Sequence, residues 1–99
     1  GNLQARERDK KSRPLALNKI ISYIEKVQFS SNTISFWQRE QISQKLNILK
    51  NQEAQEQNTV NMTFREVLTD INNIIIKERN ILTREEIMDL QQNVNIFKS

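Results

Sequence analysis

Apolar residues along this 99-residue chain recur at spacings of three and four, the period of an α-helix, in four separate stretches. Leu17, Ile20, Ile21, Ile24 and Val27 form the first stripe and predict a helix over 14–28, with Ser12 and Pro14 opening it where a missing N–H costs little. Phe29 closes that stripe. The polar run 30–33 then breaks the pattern, because Ser, Asn and Thr side chains bond the backbone locally in competition with helix. Ser35 followed by Gln38 reads as a capping box for a second helix over 35–52, which carries Ile42, Leu46 and Leu49 on one face. Residues 51–58 hold no large apolar side chain. Their Gln, Glu and Ala content favours a solvated helical extension over a flexible linker.

A third helix is predicted over 64–79, with Thr63 as cap, Glu66 as its partner and Met62 stapled onto Val67. Phe64, Val67, Leu68, Ile71, Ile74 and Ile75 make its stripe, and Asn80 is placed to end it in the left-handed conformation. The fourth, over 84–98, repeats the device with Thr83, Glu86 and a Leu82–Ile87 staple, then runs Ile87, Leu90, Val94 and Phe97 along a coiled-coil-like seam. The short link between the last two implies an antiparallel hairpin, with Ile71 facing Leu90 and Val94. The expected fold is all-α: a small four-helix bundle, irregular or up-down, in one domain over 14–99 behind a flexible basic tail over 1–13.

Charge changes the picture at one end only. Five of the 15 Lys and Arg residues fall in 1–13 against two of the 12 acids, so the tail holds the whole net charge of +3 and ten of each sign remain in 14–99. A neutral body lacks the broad positive field that draws phosphate, so any attraction to nucleic acid must come from Arg6, Arg8, Lys10, Lys11 and Arg13. A solvated lead-in is the plainer reading of the same residues. The longest apolar run is Ile74, Ile75 and Ile76, far short of the roughly 20 residues a membrane-crossing helix needs, and no membrane partner is expected. The Gly1 start with basic residues raises a membrane-associated, matrix-like class, but Ala5 stands where myristoylation wants Ser or Thr. The start without Met reads as a piece of a larger protein. Absence of Cys leans towards a reducing compartment, hence an intracellular protein, nuclear or cytoplasmic.

The chain has no Cys and no His, and no Gly after residue 1, which removes thiolate and imidazole chemistry and any glycine-rich phosphate loop. Glu85, Glu86 and Asp89 gather at the start of the fourth helix, where the dipole and the cap already account for acids. Tyr23 reads as a stripe-edge residue with a solvated hydroxyl. No catalytic residue, cofactor or metal ligand is expected, and the chain is not read as an enzyme.

Trp37 stands apart. At roughly 100° per residue it lies about 140° from Ile42 and 180° from Leu46, while Ile48 returns to within about 20° of it. The second helix therefore carries a second apolar line. Core membership is the commoner fate of a lone Trp in a small domain; the alternative is an exposed anchor formed by Phe36, Trp37 and Ile48, joined by the off-stripe Met88 and Ile96 as partner-binding positions. The expected function is a non-catalytic docking module that binds a helix or peptide of another protein. The alternative is association with DNA or nucleosomes through the basic tail. Three short segments, Arg6-Glu7-Arg8 with Arg13-Pro14, Arg39-Glu40-Gln41-Ile42, and Glu86-Ile87 through Asn93 to Ile96-Phe97, are similar in order to the C-terminal helical domain of chromodomain-helicase chromatin remodellers. That similarity is gapped, stops where the family continues and does not identify the chain as a member; it adds slightly to the DNA alternative. The seam of the fourth helix suits a homodimer as readily as an internal core.

Overall fold

The computed structural model describes the backbone of residues 2–98 and the side chains of 13–98. It contains α1 (Asn2–Ser30), α2 (Phe36–Lys50), a 3₁₀ turn (Gln52–Ala54), α3 (Gln57–Lys77) and α4 (Arg84–Lys98), with no strand among the described residues. The all-α class and the four helices expected from the apolar period are what the chain adopts.

Of the three capping boxes predicted, two hold and one fails. Ser35 Oγ accepts from Gln38 N at 3.2 Å while Gln38 Oε1 accepts from Ser35 N at 2.9 Å, closing the box at the start of α2. Thr83 and Glu86 do the same for α4, at 3.1 and 3.0 Å. Thr63, by contrast, is buried inside α3, which starts at Gln57 with Glu56 as its N-cap residue. The reason is Val60, which extends the stripe of Phe64, Val67, Ile71 and Ile74 one turn earlier, so tertiary burial carries the helix past the local stop signal. Met62 is correspondingly exposed and staples nothing to the core. Residues 51–58 are neither a continuous extension nor wholly irregular: α2 ends at Lys50 and the 3₁₀ turn follows. Asn80 is not left-handed, since no described residue has positive φ; α3 ends instead at Glu78, with φ −120° and ψ 76°.

The first helix begins at Asn2, so Pro14 falls inside it and not in its first turn. A proline there removes one helical hydrogen bond and crowds the carbonyl four residues back. The expected flexible tail falls largely on residues 1–12, whose side chains lie outside the described residues.

The chain divides into two compact units, one of residues 24–82 and one of residues 1–23 with 83–99. The third and fourth helices, expected as a hairpin, thus belong to different units, and α3 packs most closely against α2. In the 24–82 unit, Ile24 and Val27 of α1, Ile42, Leu46 and Leu49 of α2, and Val60, Phe64, Val67 and Ile71 of α3 are almost wholly shielded from water. The other unit buries Ala16, Leu17, Ile20 and Ile21 of α1 with Leu90, Asn93 and Phe97 of α4. Leu68 and Ile75, counted in the third stripe, are only half-buried, as are Ile87 and Val94 in the fourth.

Polar side chains hold the turn between α1 and α2. The buried Gln28 amide donates to Arg39 O at 2.9 Å and Ser43 Oγ at 2.5 Å, and Arg39 returns two bonds, to Gln28 O at 2.6 Å and Ser31 O at 3.2 Å. Glu78 then accepts from Ser31 Oγ at 2.5 Å, Asn32 N at 3.0 Å and Thr33 Oγ1 at 2.8 Å. These bonds, led by the Asn32 N–H, hold the Glu78 carboxyl below its ordinary value of 4.5 against a smaller opposing effect of burial.

Two expectations follow. Ile71→Ala removes a fully buried side chain and should cost about 2 to 5 kcal/mol, whereas Gln55→Ala at an exposed site should change stability by less than about 0.5 kcal/mol. Denaturant midpoints of the two variants that coincided would show that the α3 stripe is not the core. Because Glu78 is more acidic folded than unfolded, its contribution is present above 4.5 and lost as pH falls through its lowered folded value. Glu78→Gln should therefore melt earlier at neutral pH and lose less on acidification than the parent protein; parallel stability-against-pH curves would contradict the clasp.

Candidate partner-binding groove

α2 and α3 run antiparallel. Lys45 Nζ meets Asp70 Oδ2 at 2.7 Å at one end, and Glu78 holds residues 31–33 at the other. Between these ends lies a groove of about 390 Å³ with Ile34, Trp37, Gln41 and Lys45 along one wall, Asp70, Asn73, Ile76 and Lys77 along the other, and Ile42 and Ile74 as its floor. From Trp37 to Lys45 the groove extends about 12 Å at 1.5 Å per residue.

Trp37 is 69% exposed, which overturns its reading as a core residue. The cause is local: Ile42, Leu46 and Leu49 are buried, and a residue about 120° to 180° from them on the same helix points away from that face. Ile76 opposite is 70% exposed. The partner-binding positions expected from sequence do not come together. Phe36, though 78% exposed, does not line the groove, and neither does Ile48, which is half-buried. Met88 and Ile96 lie on α4 in the other unit, Met88 exposed and Ile96 half-buried in a cleft it shares with Leu15 and Lys19. Sequence reading missed Ile34 and Ile76. The signal for Ile76 was present, because three consecutive isoleucines on one helix cannot all face the same core, and Ile74 takes the buried place.

Of the basic positions assigned to nucleic acid, Arg6, Arg8, Lys10 and Lys11 have side chains outside the described residues. Arg13 is tied to α4: its Nε donates to Phe97 O at 3.2 Å and its guanidinium lies 5.7 Å from the Phe97 ring centre.

Of the acids at the start of α4, Glu86 closes the cap with Thr83 and Asp89 is bonded to α1, while Glu85 is exposed. Tyr23 donates its hydroxyl to Asp89 Oδ2 at 2.5 Å, so the tyrosine is not free in solvent as the sequence implied. That bond, with burial and the Asp89 and Glu86 charges, pushes the Tyr23 hydroxyl up to about 12. The same bond, aided by Lys19 at 3.4 Å and opposed by burial, holds the Asp89 carboxyl below its ordinary value. Asn93 Nδ2 donates to Asp89 O at 2.7 Å, which accounts for its burial. Among the described residues no group of three or more acidic side chains converges as a metal site, and no helix is long and apolar enough to cross a membrane.

No family model, curated protein or solved structure matches this chain. The short likeness to chromodomain helicases is not extended by any of them.

As the chain's single Trp, Trp37 reports on this groove directly. Its emission should resemble that of a solvated indole and be quenched readily by acrylamide; a blue-shifted, protected emission would contradict the exposed geometry.

Proposed function

We propose that the chain is a non-catalytic docking module of an intracellular protein and that it receives an α-helical segment of a partner protein in the α2–α3 groove. The observation that carries this reading is Trp37, exposed at the mouth of a groove with an apolar floor and faced by the equally exposed Ile76. A large indole left in water is a stability disadvantage to a free domain, and such residues supply much of the binding energy where one protein packs on another. The span of about 12 Å accommodates a little over two turns of helix, enough for anchors at i, i+3 or i+4, and i+7. Gln41 and Asn73, with no large hydrophobic bulk, leave polar rims flanking the apolar floor, the arrangement usual at interfaces.

Trp37→Ala and the parent protein, used side by side as baits in affinity capture, test this. The variant should remain folded, within about 0.5 kcal/mol, because the side chain is exposed. It should nevertheless lose its partner by about 2 kcal/mol or more, on the order of thirtyfold. Retention of the same proteins by both baits would exclude the groove as the docking surface.

A further inference from the structure

The groove is asymmetric in charge along its length. At the Asp70 end, Lys45 is already neutralised, 2.7 Å from Asp70 and 3.9 Å from Glu66. At the Trp37 end, Lys77 is exposed and has no ion-pair partner among the described residues. The nearby acid, Glu78, is turned to the 31–33 segment and spends its carboxylate on Ser31, Asn32 and Thr33. The remaining polar groups lining the groove, Thr33, Gln38, Gln41 and Asn73, are uncharged. Among the described residues that line the groove, Lys77 is therefore the one charge without an ion-pair partner, and it lies at the same end as the exposed indole.

We infer that the partner segment is an acidic amphipathic helix, with an apolar anchor packed between Trp37 and Ile76 and a Glu or Asp one turn from that anchor paired to Lys77. This rests on the docking function proposed above and adds the partner's charge and its register. An acid at that spacing lies on the same face of the docked helix as the anchor, so both reach the groove together. A basic residue there meets Lys77 as a like charge beside a surface it must desolvate, and is rejected. At the opposite end Lys45 is matched by Asp70, and Glu66 at 3.9 Å adds a second carboxylate, so that end does not attract an acid.

The test uses the full chain and two designed amphipathic peptides of equal length with the same leucine face, one carrying Glu and the other Lys beside the central leucine. Binding is read from Trp37 emission and from anisotropy of fluorescein-labelled peptide. The Glu peptide should bind more tightly, by roughly three- to tenfold as expected for a partly exposed pair, and the preference should shrink as salt rises. Lys77→Glu should invert it, while Trp37→Ala should weaken both peptides. Equal binding of both peptides that still depends on Trp37 would overturn the charge inference and leave the groove standing. Binding unaffected by Trp37→Ala, or no binding of either peptide, would overturn both. Trp37 emission that shifts with protein concentration alone would mean that a second copy of this chain is the occupant, and would also overturn it.

Discussion

The end of α1 is closed by a side chain from the next helix. The last carbonyls of any α-helix lack intrahelical partners, and proteins commonly satisfy them by a glycine that turns left-handed just past the helix. This chain has no glycine after residue 1 and no positive φ among its described residues. Ser31 N reaches Val27 O at 2.9 Å, and the Arg39 guanidinium takes the next carbonyl, Gln28 O, together with Ser31 O. The buried Gln28 amide answers with bonds to Arg39 O and Ser43 Oγ, so each partner satisfies groups the other would leave unpaired. No buried side-chain nitrogen or oxygen is left without a partner among the described residues. Removing Arg39 would orphan acceptors at about 1 to 3 kcal/mol each, far more than one surface bond contributes.

That closure determines where the groove can lie. Arg39 fixes the start of α2 on the end of α1, and Glu78 pins the intervening residues to the end of α3. With α2 held before its start by Glu78 through residues 31–33 and along its length by the Lys45–Asp70 pair, its buried face is committed to Ile42, Leu46 and Leu49. The flank of α2 that carries Trp37, Gln41 and Lys45 is left open beside the buried face, and it forms one wall of the groove. Thr33 belongs to both features, bonded to Glu78 and lining the groove, so the mouth of the groove is as well fixed as the turn.

How much of this was legible follows from the range of each interaction. The apolar stripes and the Ser35–Gln38 and Thr83–Glu86 boxes were readable because a helix brings residues three and four apart together without help from the rest of the chain. The same locality misled at Thr63: a Thr followed by Glu three residues on is also compatible with a helix interior, and only Val60, one turn earlier in the stripe, argues for that. Asn80 failed because α3 ends two residues earlier, at Glu78, whose N–H bonds Ile74 O at 2.8 Å with φ −120°, so no left-handed residue is used. Gln28 with Arg39 and Ser31 with Glu78 join positions 11 and 47 residues apart, and no periodicity marks them. For Trp37 the helical angle was computable, but whether another element covered that face was not. Ile76 opposite depended on the pairing of α2 with α3, where the sequence pointed to a hairpin of the last two helices.

The two carboxylates with displaced acidities serve the same physical purpose in the two units. Glu78 and Asp89 each gather several donors from other segments, and in each the bonds to the ionised form outweigh the opposing effect of burial. For Asp89 and Tyr23 the lowered carboxyl and the raised hydroxyl are one hydrogen bond seen from its two ends, because a phenol that donates to a carboxylate resists losing its proton while the carboxylate resists gaining one. A general acid at neutral pH needs a carboxyl displaced upward, and a general base needs a phenol or carboxyl brought towards neutrality. Both displacements here run the other way. They suit fixed acceptors that hold helices and turns in place, as the Glu78 bonds to residues 31–33 do beside the Trp37 end of the α2–α3 groove.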